Sequence, residues 1–134
     1  PDEQGERKLL NFGHTFGHAL EGYLSDQKRI SHGHAVAIGM VMENFLSFRM
    51  GLLPKEIFEQ IENDILANYS IPDLSNVDVN QIIQFMLVDK KNKSGKILCC
   101  LLKGIGNCSY DNEISQEQIL ETLLHYKNKQ INLN

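Results

Sequence analysis

Two opposed faces run along residues 6–24, and this amphipathic pattern constrains the fold more than any other feature of the chain. The polar face follows the spacing i, i+4, i+7, i+11 and consists of Arg7, Asn11, His14 and His18. The opposite face is apolar and holds Leu9, Phe12, Phe16, Leu20 and Tyr23. The pattern predicts a helix that buries one side in a core and presents a narrow polar stripe on the other.

Two glycines flank the first histidine of this stripe. Gly13 and Gly17 lie four residues apart, and each lowers helix propensity by about 1 kcal/mol relative to Ala. Glycines that weaken a helix in this way indicate a close approach, either by a second helix or by a ligand.

Helical periodicity continues through most of the remaining sequence. Further helices are predicted over residues 32–50, with Ser31 as N-cap and Gly51 as stop, from near Pro54, from about Asp78, and after a capping box at Ser115 and Gln118. Residues 96–110 instead predict a small β-hairpin. The expected fold is mainly α, a single compact helical domain over residues 1–134 with one hairpin. It lacks the βαβ alternation and the glycine-rich phosphate loop of a nucleotide-binding domain.

Composition excludes several classes of function. The net charge is −4 and no extended basic cluster is present, which argues against a nucleic-acid partner. No apolar run reaches the length of a membrane span, because Glu43 and Asn44 interrupt the most apolar segment. The three cysteines fit neither a zinc spacing nor a disulfide framework, so we expect reduced thiols and a cytoplasmic location.

The histidines indicate a site for a metal ion and a small anionic molecule. The spacing of His14 and His18 can present two imidazoles to one ion, although the glutamate of the metalloprotease helix is missing. His32 begins the next predicted helix, which could fold back against the stripe. Zinc or another divalent ion that prefers imidazole suits such a site, and Arg7 could bind a carboxylate bidentately.

These residues also carry a family resemblance. The run RKLLNFGHTFGHALE, followed by HGHAVAIGM, resembles the C-terminal domain of 3-dehydroquinate synthase, in the sugar-phosphate cyclase superfamily. The later VDKKNKSGKILCCLLKGIGN is similar to that family's DKK segment and hairpin. The resemblance implies the C-terminal domain of a two-domain enzyme, whose N-terminal NAD-binding α/β domain is absent from this chain.

The resemblance further implies a carbon–oxygen lyase of the shikimate pathway and of aromatic amino acid biosynthesis. Such an enzyme converts 3-deoxy-D-arabino-heptulosonate 7-phosphate to 3-dehydroquinate and phosphate, using NAD and zinc or cobalt. The family is commonly homodimeric. Without the N-terminal domain the metal and NAD sites should be incomplete, and the chain alone should be inactive.

Position by position, the resemblance implies roles for the stripe and its neighbours. It makes His14 and His32 metal ligands and leaves His18 to contact the substrate and move protons. This differs from the spacing alone, which pairs His14 with His18 on the ion. The implied substrate contacts are Arg7 and Asn11 for the carboxylate and either Lys90 or Lys91.

One residue departs from the family pattern, and two other functions compete. His34 stands where the family has glutamate, which we interpret as a tolerated change beside the site. Another sugar-phosphate cyclase is one alternative, although Arg7 and Asn11 favour a substrate with a carboxylate. A non-enzymatic helical binding module is the other. An upstream reading frame for a nucleotide-binding domain would support the enzyme, and a start codon near Pro1 would support the module.

Overall fold

Helices and one hairpin make up the described parts of the chain. The structure is a computed structural model and describes residues 13–24, 30–88, 97–103 and 108–133. In chain order the elements are α1 His14–Leu24, α2 His32–Arg49, α3 Lys55–Leu66, α4 Val79–Val88, β1 Ile97–Leu102, β2 Cys108–Ile114 and α5 Gln116–Leu133. The mainly α prediction is confirmed.

Three helix ends, two of α2 and one of α5, follow the predicted signals. The Oγ of Ser31 accepts a hydrogen bond from the backbone amide of His34 at 3.0 Å and begins α2. Gly51 adopts a φ of 79°, the left-handed conformation that ends a helix, just after α2. Ser115 and Gln118 exchange reciprocal hydrogen bonds of 3.1 and 2.9 Å, which is the capping box expected at the start of α5.

Helices α1 and α2 pack antiparallel, backbone against backbone. A Cβ atom added at Gly39 would lie 2.0 Å from the carbonyl oxygen of Gly13 and 2.6 Å from the amide nitrogen of Gly17. A Cβ at Gly17 would lie 3.1 Å from the carbonyl oxygen of Ala35. Of the two explanations offered for the glycines in α1, helix–helix packing is therefore observed.

The core lies between α1, α2, α4, α5 and the hairpin. Helix α2 is buried along most of its length, as its small apolar residues predict. The largest side chains that are almost wholly buried include Phe16, Leu20, Ile38, Met42, Leu74, Ile82, Met86, Leu101 and Tyr126. Phe16 and Leu20 come from the predicted apolar face of α1, so its opposite face is left for the histidines.

Side-chain hydrogen bonds fix α1 against its neighbours at both ends. Thr15 Oγ1 donates to the carbonyl oxygen of Leu98 in β1 at 3.0 Å. Tyr23 Oη accepts from the amide of Asp78, just before α4, at 3.0 Å. The helix that carries His14 and His18 is therefore held by the hairpin at one end and by α4 at the other.

The hairpin is antiparallel and contains a β-bulge. Cys99 pairs with Asn112 and Leu101 pairs with Ser109, so β2 has one extra residue opposite Cys100. The bulge breaks the alternation of faces, and consecutive residues of β1 are buried. The side chains of Cys99 and Cys100 are buried, and burial raises the pKa of the Cys99 thiol well above its ordinary value.

Candidate metal and substrate site

Three imidazoles meet where α2 folds back against α1. His14 and His18 occupy successive turns of α1, and their ring centroids are 5.2 Å apart. His32 is the first residue of α2, and its ring centroid lies 5.8 Å from that of His14 and 6.3 Å from that of His18. The structure therefore brings the predicted ligand pair and the predicted proton carrier into one triangle, which we call the histidine cluster.

Two close contacts orient the rings of the cluster. Nδ1 of His14 lies 3.3 Å from Nε2 of His18, a distance at which one ring donates a hydrogen bond to the other. Nδ1 of His32 lies 3.1 Å from Oε2 of Glu21, which belongs to the last turns of α1. The cluster is partly open: His14 and His18 are half-buried and the His32 side chain is 61% exposed.

A cavity of about 460 Å³ opens beside the cluster. Its α1 and α2 walls include His14 and His32, together with apolar residues of α2. The facing wall comes from α3 and the residues after it, and consists of Asp64, Ile65, Asn68 and Tyr69. The two implied metal ligands thus share one wall of a space large enough for a small molecule.

The fourth histidine of this region turns away from the cluster. Nε2 of His34 lies 2.6 Å from the carbonyl oxygen of Ser70, and its ring stacks at a tilt against Tyr69 with centroids 5.7 Å apart. A ring nitrogen that donates to a carbonyl has no lone pair for a metal ion. In this arrangement Nε2 of His34 serves the packing of α2 against the loop after α3.

The donors present fit part of a zinc or cobalt site. Neutral imidazole suits both ions, and His14 and His32 lie side by side at the cavity wall. Within the part of the chain that the structure describes, no three His, Cys, Asp or Glu side chains are arranged to hold one ion. Because zinc takes at least three protein ligands, a third would have to come from elsewhere.

A buried acid beneath α1 was not identified as part of the site from sequence. Glu43 of α2 is completely buried, and its carboxyl group faces the backbone amides of Gly13, Phe16 and Cys100. Among the described residues neither carboxyl oxygen has a partner with good hydrogen-bond geometry. Burial therefore outweighs the opposing effect of the amides and raises the pKa of Glu43 well above the ordinary carboxyl value. The sequence signal was a glutamate within the most apolar segment of the chain.

Four of the predicted site residues lie outside the described residues. These are Arg7, Asn11, Lys90 and Lys91. Their roles remain predictions from the sequence. Residues 6–12 of the helix predicted over residues 6–24 lie outside as well, and that prediction is wrong at Gly13: its φ of 87° is left-handed, so the described helix begins at His14. Glu21 was missed, although it lies seven residues after His14 and three after His18 and so continues the same helical stripe.

Comparison with known proteins decides the family. Residues 1–92 match the family model described as 3-dehydroquinate synthase C-terminal. The chain belongs to the 3-dehydroquinate synthase family. Among curated members, the 3-dehydroquinate synthase of Parabacteroides distasonis is 41% identical over 128 residues, covering 95% of this chain. That of Wolinella succinogenes is 40% identical over 122 residues, covering 90% of the chain.

Solved structures of related cyclases share the fold. A 2-deoxy-scyllo-inosose synthase, complexed with carbaglucose-6-phosphate, NAD⁺ and Co²⁺, matches with a TM-score of 0.73 at 26% identity, covering 92% of this chain and 35% of that one. A 2-epi-5-epi-valiolone synthase from Streptomyces hygroscopicus, with NAD⁺ and Zn²⁺ bound, matches with a TM-score of 0.74 at 26% identity, covering 95% and 35%. Both of these structural neighbours were solved with NAD⁺ and a divalent metal ion bound.

The match to these relatives is partial in length. The chain spans 36% of the first of the two curated synthases and 35% of the second.

None of the helices in the described ranges has both the length and the apolar character needed to cross a bilayer.

Proposed function

We propose that this chain is the metal- and substrate-binding C-terminal domain of a 3-dehydroquinate synthase. The complete enzyme would convert 3-deoxy-D-arabino-heptulosonate 7-phosphate to 3-dehydroquinate and phosphate, as a carbon–oxygen lyase of the shikimate pathway in the cytoplasm. The observation that carries the proposal is the histidine cluster at the mouth of a cavity, in a chain 41% identical to a curated 3-dehydroquinate synthase.

In this proposal His14 and His32 hold the divalent metal. Both line the cavity, and their ring centroids are 5.8 Å apart. A bound zinc or cobalt ion would supply Lewis-acid polarisation of a substrate hydroxyl. The third ligand and the NAD site would belong to an N-terminal α/β domain outside this chain, which is why we expect the chain alone to be inactive.

His18 would move protons at the reacting centre. It lies within 3.3 Å of His14 but is not among the residues that line the 460 Å³ cavity, which favours a position beside the metal rather than on it. An imidazole can give and take protons near neutral pH, as the elimination and ring closure require.

Substrate binding would rest on cations and an amide close to this site. Arg7 and Asn11 precede His14 in the family motif, and in this proposal they bind the substrate carboxylate near the metal. Lys90 or Lys91 would contribute a second positive charge. These assignments rest on the family motif.

The complete polypeptide, assayed for phosphate release with and without a chelator, tests the proposal. We expect phosphate and 3-dehydroquinate from the seven-carbon sugar-acid phosphate, loss of turnover after metal removal, and recovery on adding zinc or cobalt. Turnover of a sugar phosphate without a carboxylate, and none of the acid, would instead support another sugar-phosphate cyclase. The observation that favours this second candidate is the fold shared with a 2-deoxy-scyllo-inosose synthase and a 2-epi-5-epi-valiolone synthase.

A further inference from the structure

Glu21 is an acidic side chain of α1 that contacts the histidine cluster at His32. Its Oε2 lies 3.1 Å from Nδ1 of His32, and the two side chains are 37% and 61% exposed. The contact joins the last turns of α1 to the first residue of α2. An exposed ion pair of this kind contributes only about 0–1 kcal/mol to stability, so stability gives little reason for its presence.

The chemistry of the contact determines where the lone pair of His32 lies. An ionised carboxylate accepts hydrogen bonds and cannot donate them, so Nδ1 of His32 carries the proton in this contact. A neutral imidazole has one donor and one acceptor nitrogen, which leaves the lone pair on Nε2. The hydrogen bond at one ring nitrogen thus decides which nitrogen can bind a metal.

His32 needs such an orienting partner more than His14 does. It is the first residue of α2, and its side chain is 61% exposed. Little packing therefore fixes the imidazole, whose second torsion is intrinsically broad. The ring of His14 is half-buried between α1 and α2 and contacts His18 at 3.3 Å.

We propose that Glu21 is a positioning residue for the metal site: its carboxylate holds His32 as the Nδ1–H tautomer and leaves Nε2 to bind the ion together with His14. The inference rests on the proposed function in one respect, which is that His14 and His32 bind the metal ion. The tautomer and the ring orientation of His32 do not depend on the proposed function, because both can be measured on the chain without metal. Outer carboxylates that fix metal-binding histidines typically change metal affinity by about 10–100-fold when removed.

The tautomer is measured first, on the 134-residue chain without metal. Long-range ¹H–¹⁵N NMR at a pH of about 8.5, above the ordinary imidazole range, distinguishes Nδ1–H from Nε2–H. We expect Nδ1–H for His32 in the wild type, a shift towards Nε2–H in Glu21→Ala, and partial retention in Glu21→Gln, which keeps an acceptor oxygen. Glu121→Ala is the matched control, because it removes the carboxylate of another exposed pair, the one with Arg49.

Metal affinity is measured second, on the complete polypeptide. Competition with a chromophoric chelator should show Zn²⁺ binding weakened by about 10–100-fold in Glu21→Ala and unchanged in Glu121→Ala. Thermal unfolding should be nearly the same for all variants, which separates positioning from folding. An unchanged His32 tautomer, or unchanged Zn²⁺ affinity in a wild type that binds the ion, would overturn the inference. If the complete wild-type polypeptide binds no metal, while Glu21→Ala still shifts the His32 tautomer, the proposed function is overturned instead.

Discussion

His14 and His18 have the same chemistry and neighbouring positions on α1, yet their surroundings differ. His14 lines the 460 Å³ cavity with His32, whereas His18 contacts the edge of the His14 ring from the next helical turn. A metal ligand must give up a lone pair permanently, and a proton carrier must keep one to exchange. The two positions therefore suit different roles, although the i, i+4 spacing makes them look equivalent.

Substitution of each histidine in the complete polypeptide separates these roles. His14→Ala should remove the metal and abolish turnover, because it deletes a ligand. His18→Ala should keep the metal and lower the rate on the order of 10²–10⁴-fold, the usual effect of one general acid–base group. Metal analysis of the purified variants, paired with steady-state rates, makes the comparison. Equal metal loss in both would assign the ion to His14 and His18.

Glu43 gives the protein a specific dependence of stability on pH. Burial raises the pKa of its carboxyl group in the folded state, so the folded state binds this proton more tightly than the unfolded state does. The stability that this contributes is complete below the ordinary carboxyl pKa and is lost as pH rises through the raised pKa. Glu43→Gln cannot titrate and removes this loss.

We therefore expect the difference in free energy of unfolding, Glu43→Gln minus wild type, to increase from pH 4 to pH 8. Urea denaturation at several pH values measures it. The exposed Glu59 of α3 provides the control, since Glu59→Gln should show no comparable trend. A difference independent of pH would mean that Glu43 titrates normally in the folded protein.

At the level of elements, the sequence predicted the helices and several of their boundaries because the signals are local. The start of α1 is the exception, since the helix predicted from residue 6 begins at His14, after the left-handed Gly13. Ser31, Gly51 and the Ser115–Gln118 box act within one helical turn, and each was found as predicted. Contacts between distant segments have no such signal. The pairing of Glu21 with His32, the support of α1 by β1, and the burial of Glu43 beneath α1 depend on how the elements pack. The position of His14 and His18 on one face of α1 was therefore predictable, and the contacts that position the histidine cluster were not.

The glycine contact between α1 and α2 sets the spacing of the histidine cluster. A Cβ at Gly39 would overlap the backbone of Gly13, so Gly39→Ala must push the two helices apart. Overpacking of this kind costs about 1–3 kcal/mol or more, and we expect that loss in the free energy of unfolding. Gly33→Ala, in the same helix and with open space around its Cβ, should be neutral or stabilising by up to about 1 kcal/mol. Chemical denaturation of the pair gives the measurement, and equal stability of the two variants would contradict the close packing.

At the level of the whole molecule, the proposed site would be divided between this chain and the rest of the enzyme. The chain spans about a third of the curated relatives and, in its described part, offers two implied ligands but no set of three. Two imidazoles on a partly open surface can hold zinc only weakly, because water or buffer molecules occupy the remaining coordination positions of the ion. Catalysis by such an enzyme would need both portions, since in our proposal the NAD site belongs to the N-terminal domain.

The isolated 134-residue chain should therefore bind zinc at least about 100-fold more weakly than the complete polypeptide, a difference of about 2.8 kcal/mol, and should not release phosphate from the substrate. Isothermal titration calorimetry of both proteins under the same buffer conditions measures the difference. His34→Glu, which restores the residue typical of the family, should not change zinc binding by the chain, because His34 bonds to the carbonyl of Ser70. Tight one-to-one binding by the wild-type chain that is lost in His34→Glu would show that His34 leaves this carbonyl and acts as the third ligand.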